Sequence, residues 1–383
     1  MKPESKKFLL KSFVCWRIIL FVFLFLAIGL ISVQQQYLGG DLPSYLKQPF
    51  LWAWANFDGE HYLSIAYQGY QPLTYFYFPV YPLTIYFAAQ LLGGSFKSLA
   101  VSGLLISNIS LFIALIGFWK LVMLDYKKDI ARLAILLLLV FPTSFYFGSV
   151  YTESLFLALV VWSFYFARKG KWILAGLLGA VLTATRVVGL ALIPALLVEA
   201  YLQKRENKKL NLSPVIMGIL FSALGIVAYM AYLNQATGDP LEFFHNVSIF
   251  GQQRSSSLVL LPQVFYRYFF KVLPNIDYSY IPVIFTTYME IVTAIVFLGL
   301  AVVGFFKLRL SYAFYLEIGY IVPTLSGSFS SLHRYVLILF PAFILSALWL
   351  SKSKKWIKAI VFLILILGLL VATSLFTRGF WVA

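Results

Sequence analysis

The chain has 383 residues, of which 61% are hydrophobic and only 11% are charged. A soluble domain carries about 25% charged residues, so most of the surface of this protein must face lipid rather than water. The net charge of +16 does not indicate a nucleic-acid-binding protein, because the basic residues form short clusters between apolar runs, as they do in the loops of membrane proteins.

Eleven apolar runs predict an all-α polytopic protein with about 11 transmembrane helices, since the runs lack the alternation of barrel strands. The first run is longer than the core of a signal peptide and has no cleavage site after it, so we expect a retained helix. Several runs fall short of the ~20 residues of a straight span, and kinked helices are expected there. The predicted spans are 16–33, 99–123, 133–147, 153–167, 172–185, 187–202, 214–233, 283–306, 312–325, 335–350 and 357–376.

Two long segments, 34–98 and 234–281, separate the spans. With the N-terminus in the cytoplasm, most of the 30 Lys and Arg residues fall on the cytoplasmic side, in agreement with the positive-inside rule. This topology requires 78–92 to lie along the outer surface as an interfacial helix. Both long segments are then outer loops of a single transmembrane domain, 1–383. Short loops and the lack of a retention signal favour a prokaryotic plasma membrane over the endoplasmic reticulum.

The densest group of ionisable residues on the outer side lies in 56–62 (NFDGEHY). Asp58 is followed by a glycine, Glu60 and His61, so a carboxylate stands beside a second carboxylate and an imidazole at the membrane–water boundary. This pattern is typical of a general base with neighbours that tune its pKa. The alternative is that Asp58 only caps the helix that follows.

Two further outer segments carry aromatic and acidic residues. In 77–83 (YFPVYPL), the two prolines and the aromatic residues, Tyr81 among them, suit a rigid turn into the interfacial helix. In the hairpin 141–154, Glu153 stands where a span begins, and acids near the bilayer are costly and usually functional. The alternative for Glu153 is an acid favoured by the dipole at a helix N-terminus.

Arg186 lies inside an apolar stretch, with no other charged residue between Lys171 and Glu199. An arginine in this position needs an anionic partner or a water-filled cavity. A lipid phosphate would serve, because a guanidinium group binds phosphate with two prongs. An ion pair with Glu153 or Asp58 is the alternative.

Residues 330–335 (SSLHRY) bring His333 and Arg334 to the outer side just before a span. The alternative is an interfacial anchor, since Arg and Tyr favour such boundaries. With Asp58 and Arg186, they would place a base, an imidazole and two cations on one side of the membrane. No histidine has a close-spaced partner histidine, so we expect no metal site.

Several of these segments resemble the PIG-V-like mannosyltransferases, a family within the GT-C superfamily of membrane glycosyltransferases. The matches occur in the order of the family's motifs and span most of the chain. The resemblance implies a GT-C-type helical bundle with interfacial helices in the first outer loop. The matching segments are 57–70, 78–83, 141–142 with 151–156, Arg186 with Gly189, and 333–335 with Pro341.

The resemblance implies an inverting glycosyltransferase that moves a hexose, with mannose expected, from a polyprenyl-phosphate carrier and needs no metal or other cofactor. The family's acidic residue falls on Asp58, which would take a proton from the acceptor hydroxyl as that oxygen attacks the anomeric carbon. Arg186 and Arg334 would stabilise the departing phosphate. The other residues expected to bind or orient substrates are Glu60, His61, Tyr81, Glu153 and His333.

The chain departs from the family in two places. The family usually has tryptophan before the aspartate, whereas Phe57 precedes Asp58 here. The loop 234–281 does not match the eukaryotic enzymes, so the acceptor stays open among a glycan, a glycolipid and a protein.

Three other functions compete with a transferase. A transporter or lipid-linked-glycan flippase should show inverted repeats and ionisable residues near the bilayer midplane; Glu290 and Glu317 lie in spans, but we see no repeat. A ligase of the O-antigen type depends on a later large loop rather than on an acid in the first one. A non-catalytic subunit would keep the fold with Asp58 dispensable.

Overall fold

The computed structural model describes residues 2–37, 39–206, 210–245, 255 and 257–382. Within these residues the chain forms α-helices, short 3₁₀ turns and one π-helical turn, and no strand. The all-α prediction is confirmed. Part of the predicted outer loop 234–281, namely residues 246–254 and 256, lies outside the described residues.

Each predicted span coincides with a helix of twelve or more residues in the described part of the chain. The helices extend beyond the apolar runs at several ends, where polar residues continue the helical hydrogen bonding. Their bounds are Pro3–Leu30, Phe96–Val122, Lys128–Val140, Glu153–Arg168, Trp172–Thr183, Leu192–Glu206, Leu212–Thr237, Ile281–Lys307, Leu310–Thr324, Phe340–Lys352 and Lys355–Thr377.

Six helices of the described chain are long and apolar enough to cross a membrane, and a bent pair could form a seventh span. The chain is therefore an integral membrane protein, but the predicted count of about 11 spans is not confirmed. Six of these eleven helices have only 12 to 16 residues. Such a helix reaches about 18–24 Å, less than the ~30 Å of a hydrocarbon core.

Short helices occupy the two long loops. Because Gly69 takes a φ of 81° after the helix Asp58–Gln68, that helix ends with a conformation that costs glycine no strain. The short α-helices are Leu42–Lys47, Pro49–Trp52, Asp58–Gln68 and Val80–Gln90 in the first loop, and Glu242–His245 and Leu261–Arg267 in the second.

The helix Val80–Gln90 falls within the predicted interfacial helix 78–92. Exposed Leu83 and Phe87 of this helix, and Leu91 directly after it, are four positions apart, so they form one apolar stripe. A stripe of this kind suits a helix that lies in a membrane surface. The position of this helix relative to a bilayer stays a prediction.

Two interruptions of the bundle place arginines at the same end. Arg186 has an extended backbone, with φ −160° and ψ 148°, after the helix Trp172–Thr183 ends. The second interruption joins Leu332–Ile338 to Phe340–Lys352 at an angle of 84°. The break lies at Leu339, which has φ −83° and ψ 64°, and Pro341 suits the first turn of the helix that follows.

The helices Trp172–Thr183 and Leu212–Thr237 pack through glycines. A Cβ atom on Gly225 would overlap the carbonyl oxygen of Ala180, and one on Gly176 would overlap that of Gly218. Small residues let two helix backbones approach closely, which is a main source of helix association in lipid.

We expect Gly225→Ala to lower the unfolding temperature of the detergent-solubilised protein, since overpacking of a close contact costs about 1–3 kcal/mol. The matched control is Gly299→Ala, in the middle of Ile281–Lys307, where an added Cβ meets nothing within 4 Å. The control should keep or raise the unfolding temperature, because alanine favours helix by about 1 kcal/mol. Equal unfolding temperatures for the two variants would contradict the close approach.

Candidate functional site

Asp58 is the first residue of the helix Asp58–Gln68, and its carboxylate binds distant side chains. Oδ2 accepts a hydrogen bond from Nη1 of Arg334 at 2.5 Å, and Oδ1 accepts one from the hydroxyl of Tyr77 at 3.2 Å. The carboxylate therefore does not cap its own helix, and the simple capping interpretation of Asp58 does not hold. Each oxygen keeps one lone pair for a further proton or hydrogen bond.

Arg334 is buried, so it is not an exposed interfacial anchor; its side chain is only 6% exposed. Besides Asp58, its Nε lies 3.6 Å from Oε1 of Glu153. The guanidinium lies over the rings of Tyr146, Tyr151 and Tyr335 at 5.1–5.6 Å from their centroids. Two carboxylates and three aromatic faces replace the water that this cation loses on burial.

Glu153 begins the helix Glu153–Arg168 and is 1% exposed at its side chain. Its Oε1 accepts a hydrogen bond from Nη1 of Arg186 at 2.5 Å, which is the ion pair considered above as an alternative partner for that arginine. The guanidinium of Arg186 also lies over the ring of Tyr335 at 4.9 Å. Four charged groups thus alternate in sign, in the order Asp58, Arg334, Glu153 and Arg186.

Burial alone would raise the pKa of Asp58, but the charge and hydrogen bond of Arg334 outweigh it. The nearby His61 and the hydroxyl of Tyr77 act in the same direction, so the pKa of Asp58 lies below its ordinary value. Asp58 is therefore ionised at neutral pH.

The four charged groups line one cavity of about 230 Å³. Glu153 Oε2 and Arg334 Nε are buried there and make no hydrogen bond within the described residues, so the site holds an unused acceptor and an unused donor. The rest of the wall is largely apolar, including Phe76, Phe78, Val187, Val188, Phe243 and Leu258. A ligand with an anionic head and an apolar body would match this distribution.

The other four predicted site residues do not line this cavity. Oε2 of Glu60 accepts a hydrogen bond from the backbone N–H of Gly40, and the ring of His61 stacks on Tyr77 at 4.9 Å. Tyr81 and His333 are fully buried.

The hydroxyl of Tyr81 donates to the carbonyl of Gly103 and shares a hydrogen bond with Ser107, so it joins helices. His333 Nε2 lies 2.6 Å from the carbonyl oxygen of Val382, to which it donates. Their roles in substrate binding stay predictions, and the contacts of both are with the protein itself.

Sequence reasoning missed Tyr77 and Tyr335 as site residues. Tyr77 binds Asp58, and the ring of Tyr335 lies beside both arginines. Tyr77 belongs to the motif 77–83, which we assigned to a turn, and no local pattern indicates that its hydroxyl reaches Asp58. Tyr335 directly follows Arg334, and this adjacency was the only available signal.

No protein-family profile matches the sequence, and no curated protein matches it significantly. Two solved structures resemble the chain in fold. ArnT from Cupriavidus metallidurans bound to undecaprenyl phosphate matches with a TM-score of 0.50 and 15% identity, over 96% of this chain and 72% of ArnT. The apo form of the Archaeoglobus fulgidus oligosaccharyltransferase matches with a TM-score of 0.50 and 12% identity, over 98% of this chain.

The match covers 56% of the oligosaccharyltransferase, so this chain spans little more than half of that enzyme. At these identities the likeness concerns the fold alone. The PIG-V-like subfamily stays a prediction, because neither neighbour bears on it. Both neighbours are GT-C glycosyltransferases, and this chain shares their fold, in agreement with the GT-C-type bundle that the sequence resemblance implied.

Proposed function

We propose that the protein is an inverting glycosyltransferase that moves a hexose, mannose in our proposal, from a polyprenyl-phosphate carrier to an acceptor on the non-cytoplasmic face. The observation that carries this proposal is the cavity that ionised Asp58 lines together with the guanidinium group of Arg334, its ion-pair partner, and that of Arg186. A base beside two cations suits a nucleophile that attacks while a phosphate departs. The ArnT structure contains undecaprenyl phosphate, a ligand of the class we propose here.

In the proposed reaction the acceptor hydroxyl oxygen forms a bond to the anomeric carbon as the bond from that carbon to the phosphate oxygen breaks. The hydroxyl proton passes to the carboxylate of Asp58, and the bonding electrons leave with the polyprenyl phosphate. Arg186 and Arg334 stabilise the negative charge on that phosphate. Attack from the face opposite the phosphate inverts the configuration.

Donor binding also changes the base. Arg334 would be shared between the donor phosphate and Asp58, so its hold on the carboxylate weakens. Because Arg334 lowers the pKa of Asp58, this sharing makes Asp58 more basic when the donor is present. The proton acceptor thus gains strength at the stage where it is needed.

A transporter or flippase remains the second candidate from another class. Its translocation pathway would need ionisable groups along the membrane depth, whereas the four charged groups here meet in one cavity. The meeting of the four charged groups in one cavity favours a transferase over a transporter, and an assay of sugar transfer distinguishes the two.

Asp58→Asn should reduce transfer by about 100-fold or more, because it removes the proton acceptor while keeping the shape of the side chain. The measurement supplies radiolabelled polyprenyl-phosphate mannose to native membranes that hold the cell's own acceptor, with each variant at matched expression. Asp277→Asn is the control, since Asp277 is exposed and, within the described residues, its carboxylate accepts hydrogen bonds only from Ser279 in its own turn. Equal transfer by the wild type and Asp58→Asn would remove Asp58 from the mechanism.

Tyr77→Phe should move the acidic limb of the rate profile to higher pH. The hydroxyl of Tyr77 lowers the pKa of Asp58, so its loss raises that pKa and the base becomes protonated at a higher pH. Loss of a hydrogen bond to a charged group predicts that the midpoint of the acidic limb rises by about one pH unit. The measurement is kcat/KM for sugar transfer at several pH values between about 3 and 8.

Tyr67→Phe is the matched control, because Tyr67 is 63% exposed on the same loop and the change is the same. Its profile should coincide with that of the wild type. An unchanged acidic limb in Tyr77→Phe would show that Asp58 does not set the limb, or that Tyr77 does not bind it.

A further inference from the structure

The backbone just before Asp58 is strained. Phe57 has φ 54° and ψ −119°, a conformation that side chains disfavour and that costs on the order of 1–3 kcal/mol. Such a conformation persists only where surrounding contacts hold it. Since Phe57 precedes the proposed base directly, whatever holds Phe57 also sets the direction of Asp58.

Two aromatic rings from the far end of the described chain hold Phe57. Trp381 meets the Phe57 ring edge-on at 5.2 Å between centroids, and Phe376 lies at 5.9 Å. The carbonyl oxygen of Phe376 also accepts a hydrogen bond of 3.5 Å from the side chain of Asn56, whose Oδ1 accepts from the backbone N–H of Phe57. Residues 376–382, which we call the clasp segment, thus contact both residues before Asp58.

The same clasp segment also holds the residue before Arg334. His333 Nε2 donates to the carbonyl oxygen of Val382 at 2.6 Å, and the His333 ring is fully buried. The backbone carbonyl of His333 in turn accepts from the hydroxyl of Thr143 at 2.6 Å. One segment therefore contacts the direct neighbours of both partners of the Asp58–Arg334 pair.

Hydrogen bonds join the clasp segment to residues of the N-terminal part of the chain. Arg378 Nε donates to the carbonyl of Ile31 at 2.8 Å, and its Nη1 donates to the hydroxyl of Tyr45 at 2.6 Å. The carbonyl of Arg378 accepts from the backbone N–H of Gln34 at 2.9 Å. No clasp residue lines the cavity, so a direct role in holding substrate does not explain these contacts.

We propose that the clasp segment sets the position of Asp58 relative to Arg334, with Trp381 and His333 as positioning residues. The proposal rests on the proposed transferase function for its kinetic consequence. Trp381 keeps Phe57 in its strained conformation, and His333 fixes the turn that carries Arg334. Loss of either contact would leave the base and its cation present but less well aligned.

The kinetic test compares Trp381→Leu with Trp381→Phe, which keeps an aromatic ring, and with Trp356→Leu, in which the lost ring is 60% exposed. Trp381→Leu should lower kcat by about tenfold per folded molecule, since small misplacements near a reacting group have effects of this size. KM for polyprenyl-phosphate mannose should change little, and the acidic limb of the pH profile of kcat/KM should move to higher pH. Trp381→Phe should recover most of kcat, and Trp356→Leu should match the wild type.

A purely structural role for Trp381 would lower the yield or unfolding temperature while kcat per folded molecule and the pH profile stay those of the wild type, and this result would overturn the proposal. Should Trp381→Leu fail to fold, His333→Leu tests the other contact of the clasp by the same measurements. An unchanged acidic limb in that variant would overturn the proposal equally.

A second measurement needs no transfer activity. The unfolding temperatures of Asp58→Asn, Arg334→Gln and the double variant give the coupling of the pair, because the double variant loses a shared interaction only once. We expect this coupling to shrink in the Trp381→Leu background. If the coupling is undiminished in this background, the proposed role of the clasp segment is overturned, whatever the transfer activity. If the coupling is lost but the protein transfers no sugar, only the proposed transferase function is overturned.

Discussion

The ion pair between Asp58 and Arg334 joins positions 276 residues apart in the chain. Removing two charges from water is costly, and their attraction repays the cost only when further hydrogen bonds complete both groups. Here Tyr77 gives the carboxylate a second hydrogen bond, while Glu153 and three tyrosine rings surround the guanidinium. The first outer loop and the bent helix near residue 339 are held together by the groups that form the cavity.

A second charged network lies at the other end of the helix Glu153–Arg168. Fully buried Glu199 accepts hydrogen bonds from Nε and Nη2 of Arg309 at 2.7 and 2.9 Å, and Arg168, paired with Asp125, lies 3.5 Å away. The helix Glu153–Arg168 runs from the cavity at its first residue to this network at its last, a distance of about 24 Å. Glu153 is therefore placed by contacts at both ends of its helix.

Much of the site could be predicted from the sequence because polar residues in apolar surroundings are rare and must find partners. Asp58, Glu153, Arg186 and Arg334 stood out for that reason, and the structure brings them to one cavity. Tyr77 did not stand out, since aromatic residues make up 19% of the chain and one more carries little information. His333 was expected at the outer surface, but its contact with Val382 depends on tertiary packing that no local pattern encodes.

Each predicted span coincides with a helix, whereas the predicted number of membrane spans is not confirmed. Apolar residues serve equally for packing inside a bundle and for contact with lipid, so hydropathy does not distinguish a buried helix of 12 residues from a short span. Tyr81 illustrates the same limit, since no local pattern indicates that its hydroxyl bonds to Gly103 and Ser107 of the next helix.

The low pKa of Asp58 has a consequence for how the protein returns to its starting state. With Asp58 as the proposed base, each transfer leaves one proton on its carboxyl group. An acid with a lowered pKa gives this proton back to water readily at neutral pH, and 17% of its side chain is exposed. With the outer-face topology proposed above, the proton leaves on the side where the product forms, and turnover then moves no charge across the bilayer.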